Sequence, residues 1–253
     1  MTTSKLSPPM SAGMNFAYPT ALNLGVQSAE GFHHELLRGL THKLNNMLAI
    51  IQGFSSLILM SEEQDAATTE NMTHIKEASM NISSLSERIR QAGGCAKVSL
   101  QSLNLNDYLS VVDGAVREPF VKTHVPFEMD VAPGLPAVQV DPTKLKDLLV
   151  EILRNAAEGA EKGGGRALMQ ITGPGIVSPV QEGRVDILIT NTGSAIAPEK
   201  LQEIFKPFTG TKNSHHFGLG LTIAAMLAHQ MNVRLGVNSQ DGTVTFWVSL
   251  PMA

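Results

Sequence analysis

The sequence predicts an α-helical hairpin that pairs into a dimeric four-helix bundle, followed by an α+β sandwich. Three observations predict this. Apolar residues recur at steps of three and four over two segments between residues 30 and 92. The glycine pair Gly93-Gly94 closes the second segment, as a helix C-terminus requires. Beyond it, helix-period and strand-period stretches are interleaved, and the last two strands are adjacent.

The chain has 253 residues, enough for one large domain or two small ones with a buried core. Apolar residues make up 43% and charged residues 17%, a globular rather than a disordered composition. A net charge of -4 provides no general attraction to nucleic acid or to anionic membranes. Cys95 is the single cysteine, which excludes an internal disulfide and a cysteine-based zinc site. No apolar run reaches the length of a membrane span, and no basic-then-apolar leader opens the chain. A cytoplasmic location is the expectation.

Residues 1–28 contain Pro8, Pro9 and Pro19 with almost no charge, which reads as a flexible tail. A docking peptide carried by Phe16 and Tyr18 is the alternative. Residues 29–94 form the hairpin. Its first helix carries Leu36, Leu40, Leu44, Met47, Leu48 and Ile51, and its second Met72, Ile75, Ile82 and Ile89. Ser61 to Asp65 is a polar break between them. One such hairpin has an apolar stripe and little to cover it, so a homodimeric bundle is expected.

Residues 102–253 form the second domain. A helix is expected over Leu103 to Val116, with short strands over Pro126 to Val131 and Ala137 to Val140. Pro142 opens a helix that runs to Ala160, with Leu145, Leu148, Leu149, Ile152 and Leu153 on its apolar face. Arg166 to Thr172 and Arg184 to Thr190 read as strands, and Gly218 to Met231 as a helix. Val233 to Val237 and Thr243 to Leu250 flank Asp241-Gly242, a hairpin signal. One sheet with helices on one face follows.

Two constellations carry chemistry. In Leu40-Thr41-His42-Lys43-Leu44-Asn45-Asn46, His42 and Asn46 are four apart and share a helix face, away from the apolar stripe. A neutral exposed imidazole is a competent nucleophile for a phosphoryl group. Taken alone, an ordinary surface histidine is the preferred reading, since a surface histidine needs no explanation. The second constellation is spread over the later domain. Glu151 and Asn155 share a helix face and offer oxygen ligands of the kind Mg²⁺ takes beside phosphates. Polar pairs on a helix surface are the plain alternative. Asn191-Thr192-Gly193 follows a strand and leads to Ile196-Ala197-Pro198-Glu199. Phe205-Lys206-Pro207-Phe208 and Lys212 follow. Gly218-Leu219-Gly220 then opens a helix, where backbone N–H groups can approach phosphates. His215-His216 supplies two possible metal ligands with no third nearby.

In their order and spacing, these stretches resemble the motifs of bacterial sensor histidine kinase cores. Residues 40–48 resemble the phosphoacceptor box. Residues 151–158, 190–199, 201–212 and 217–223 resemble the four nucleotide boxes of the gyrase/MutL-type (GHKL) ATPase fold. The resemblance implies His42 as phosphoacceptor, with Asn46 beside it. It implies Asn155 as the Mg²⁺ ligand and Glu151 as a polarising group. It also implies a nucleotide site made by Asn155, Asn191, Gly193, Lys212, Gly218 and Gly220. Lys43 stands where the family has an acidic residue that helps deprotonate the imidazole. Asn191 stands where the family has an aspartate facing the adenine amino group, and Ala195 replaces the second glycine. The implied function is ATP- and Mg²⁺-dependent autophosphorylation of His42. Transfer to an aspartate of a response regulator receiver follows. The departures keep two alternatives open: a histidine phosphotransferase with a degenerate ATP site, and a non-catalytic dimeric adaptor.

Overall fold

The computed structural model describes residues 36, 39–40, 43–44, 46–51, 53–54, 57–58, 66–94, 96–174, 183–209 and 217–253. The expected tail, the polar break at 61–65, His42, Lys212 and the His215-His216 pair lie outside them. The described residues between 36 and 58 are helical (α1), and α2 spans Ala66–Ala92. Phe54 of α1 stacks on His74 of α2, with ring centroids 4.6 Å apart and an interplanar angle of 16°. Leu36, Leu85 and Ala92 are buried and join the core of the following domain.

That domain runs β1 (Gln101–Leu103), α3 (Leu105–Thr123), β2 (Phe127–Val131), β3 (Val138–Val140) and α4 (Pro142–Gly163). It continues with β4 (Ala167–Thr172), β5 (Arg184–Thr192), α5 (Gly220–Gln230), β6 (Arg234–Gln240) and β7 (Thr243–Pro251). Five strands form one sheet in the order β2-β4-β5-β7-β6, parallel only between β2 and β4. β1 and β3 form a separate antiparallel pair. Register places Met169, Ile189, Phe246 and Val237 in one row, and Ile171, Ile187, Val248 and Leu235 in the next. All eight are buried in the same core as α3, α4 and α5, so the three helices cover one face of the sheet.

Two elements differ from the sequence expectation. The helix expected to end at Val116 continues to Thr123 through Pro119. Val112, Val116, Pro119 and Phe120 continue one buried stripe, and burying it outweighs the hydrogen bond that proline removes. Leu103, expected to open that helix, instead closes β1, a three-residue, mostly exposed strand with no apolar alternation to reveal it.

Asp141 fixes where α4 begins. Its Oδ1 accepts from the Lys144 N–H at 3.0 Å, an N-cap, and its Oδ2 accepts from the Ser99 N–H at 2.8 Å. One buried carboxylate thus ties the interdomain segment to the site-bearing helix. Asp141→Ala orphans both donors. It should lower unfolding stability by about 1–3 kcal/mol, read from urea midpoints at unchanged slope.

Candidate functional site

α4 builds one wall of the site because it is amphipathic. Leu145, Leu148, Leu149, Ile152, Leu153, Ala156, Ala157 and Ala160 are buried. Their burial turns Glu151, Asn155, Glu158 and Lys162 outward as a stripe at steps of three and four. A cavity of about 630 Å³ opens against that stripe, closed by the end of β5, by residues 194–209 and by the start of α5.

The sequence-predicted residues Glu151, Asn155, Asn191, Gly218 and Gly220 all line this cavity, as does Ala195. Gly193 stands behind it, at a φ of 128°. A β-carbon on Gly163 would fall 2.2 Å from the Gly193 Cα, so the helix and the loop meet backbone to backbone. Asn46 lies elsewhere, exposed on α1.

Asn191 is 2% exposed, and its Nδ2 is buried with no hydrogen-bond partner among the described residues. It lines the cavity beside Gly159, where a β-carbon would come within 2.9 Å of Nδ2. A buried donor left unpaired costs free energy that a polar ligand would recover. At the other end, α5 begins at Gly220 with no side chain capping its first N–H groups. An uncapped helix N-terminus facing a cavity is suited to phosphate. Between the two ends, Arg154, Lys162 and Lys200 add positive charge to the lining.

Glu151 is not free. Its carboxylate accepts from Arg88 Nη1 at 2.7 Å and from Arg88 Nη2 at 3.1 Å, and Arg154 Nη1 adds a third bond at 3.2 Å. The structure therefore engages both oxygens of the residue expected to polarise the reaction. Phe205 is buried in the core, whereas Phe208 lines the cavity with a φ of 62°.

Arg154, Glu158 and Lys162 were legible in principle, since they lie on the helix face already marked by Glu151 and Asn155. Lys200 and Arg88 carry no local signal. One reaches the cavity through a turn, and the other belongs to a helix 63 residues earlier than its partner.

Burial holds the Glu158 carboxyl above its ordinary value of 4.5, partly opposed by Lys162 and Arg154. An acid whose folded pKa is raised destabilises the fold at pH above that value, and the penalty vanishes below the ordinary value. Glu158→Gln should therefore stabilise the domain at pH 7. The gain should fade as the pH drops through and below 4.5, as read by thermal unfolding across pH.

Residues 140–253 match the family described as histidine kinase-, DNA gyrase B-, and HSP90-like ATPase. Over 226 residues the chain is 29% identical to the sensory histidine kinase/phosphatase NtrB of Proteus hauseri, covering 86% of this chain and 62% of that protein. It is 24% identical to the sensor histidine kinase ZraS of Salmonella typhi, covering 86% of this chain and 45% of the relative. The chain thus spans about half to three fifths of the length of these relatives. Among solved structures, histidine kinase ThkA in complex with response regulator protein TrrA superposes with a TM-score of 0.63 at 21% identity, covering 87% of this chain and 61% of that one. Full-length ShkA in complex with AMPPNP gives 0.60 at 21% identity, covering 85% and 46%. Residues 140–253 are therefore similar to the histidine kinase-, DNA gyrase B- and HSP90-like ATPases, and over 86% of its length the chain is similar to two proteins named as sensor or sensory histidine kinases.

Proposed function

We propose that this chain is the core of a two-component histidine kinase, which transfers the γ-phosphoryl group of ATP to His42 and then to an aspartate of a response regulator. The observation that carries this reading is the convergence of Glu151, Asn155, Asn191, Gly218 and Gly220 on one cavity. The base stacks toward Asn191, whose carboxamide offers an acceptor to an exocyclic amine and an unpaired donor to a ring nitrogen. The triphosphate lies at the N-terminus of α5 near Gly218 and Gly220. The Asn155 amide oxygen would hold Mg²⁺, which when bound would neutralise charge on the phosphates. A neutral His42 ring nitrogen attacks the γ-phosphorus, the bond to the bridging oxygen breaks, and ADP leaves. Positioning and charge dominate such a step.

The exposed apolar side chains on the hairpin support a homodimer. Leu48 is 45% exposed, Leu57 52%, Met72 54% and Met80 62% in the single chain. Among the described residues no helix is long and apolar enough to cross a membrane. No cluster of three or more His, Cys, Asp or Glu side chains suited to a metal occurs among them either.

A second reading, a phosphotransferase that takes phosphate from one receiver and passes it to another, is favoured by Lys43 and by the engaged Glu151 carboxylate. ATP binding and labelling separate the two. The kinase reading expects an acid-labile phosphoprotein from labelled ATP, lost in His42→Ala and reduced by more than about tenfold in Asn155→Ala. Lys43→Glu should raise labelling by restoring an acid beside the histidine. A wild-type chain that binds ATP by calorimetry yet takes no label at any Mg²⁺ concentration would sink the kinase reading. Labelling of His42 only from a phosphorylated receiver would establish the second.

A further inference from the structure

Arg88 belongs to α2, in the hairpin, whereas Glu151 belongs to α4, in the nucleotide domain. Their contact is a bidentate fork, with side chains 15% and 10% exposed. An exposed ion pair would contribute little. A mostly buried, parallel-bonded guanidinium and carboxylate is stronger and geometrically exacting, since only arginine offers two donors in that plane.

The pair also stands at a particular place. A β-carbon on Gly220 would lie 2.6 Å from Glu151 Oε2 and 3.7 Å from Arg88 Nη2. The fork therefore rests on the first residue of α5, at the end assigned to phosphate. Arg88 itself is not part of the cavity lining. A second contact lies on the other helix of the hairpin. A β-carbon on Gly39 of α1 would meet the Phe208 ring at 2.1 Å, so this cavity-lining ring packs directly on the α1 backbone. A third lies at the hairpin exit, where Gln230 Nε2 donates to the carbonyls of Gly94 and Ala96 at 2.6 and 3.2 Å.

Phe208 packs through an uncharged ring and Gln230 through a neutral amide, whereas the fork is charge-assisted. We infer that Arg88 is a positioning residue for phosphoryl transfer: through Glu151 it sets the orientation in which the phosphate end of the nucleotide cavity is seated on the hairpin of its own chain. The inference rests on the kinase reading above for its catalytic consequence, and on the fork alone for the seating.

The test compares full-length wild type with Arg88→Met, which keeps the length of the stem, and Arg88→Lys, which keeps the charge without the fork. ATP affinity by calorimetry should change by less than about twofold, because Arg88 does not touch the nucleotide. The rate of His42 labelling at saturating ATP should fall by about tenfold or more in Arg88→Met and by less in Arg88→Lys. Amide hydrogen exchange at residues 85–92 and 220–224 should accelerate in both. Unchanged or faster labelling at saturating ATP overturns the positioning role, as does a loss of ATP affinity that accounts for the whole defect. If wild type takes no label, the kinase reading fails by itself. The seating is then judged on exchange alone, and identical exchange in wild type and Arg88→Met overturns it.

Discussion

Eight apolar side chains of α4, from Leu145 to Ala160, are buried, and the helix cannot rotate without exposing them. Turning a buried leucine or isoleucine into water costs about 1.5–3 kcal/mol each, so the rotation of this helix is set with a large margin. With it are set Glu151, Asn155, Glu158 and Lys162, which face the other way. Asp141 sets its start and Gly164, in the left-handed conformation, its end. The site inherits its geometry from hydrophobic burial rather than from any attraction among its own polar groups.

The polar stripe is then completed by elements that arrive from far along the chain. β5 delivers Asn191 because the strand runs to Thr192, beyond the apolar run that marks it in sequence. α5 delivers an uncapped N-terminus because Gly218 and Gly220 leave no side chain where phosphate would lie. The resulting cavity has an unpaired amide donor at one end and open backbone donors at the other. In the proposed reading, that polarity takes a purine nucleotide laid lengthwise across α4.

Glu151 shows how the same residue type can serve differently when its surroundings change. On sequence it pairs with Asn155 as a polar couple facing a nucleotide. In the fold its carboxylate accepts three hydrogen bonds from Arg88 and Arg154, so what it adds to the site is orientation and a local balance of charge. A buried carboxylate with both oxygens bound does not readily take a metal, because a metal bond must displace a charge-assisted hydrogen bond.

Much of the fold was legible without coordinates. The α4 stripe, the late hairpin around Asp241-Gly242, the glycine-marked opening of α5 and the order of the nucleotide motifs are local patterns. Local patterns survive in sequence because periodicity and turn chemistry act over a few residues. The extension of α3 through Pro119 and the short β1 were not legible, since tertiary burial overrode one local signal and the other has none. What only the tertiary structure decided is which distant charges meet. Arg88 finds Glu151, and Lys200 reaches the cavity, across separations that no periodicity spans. The motifs carry residues that line the cavity, but which distant side chains meet them was decided by packing.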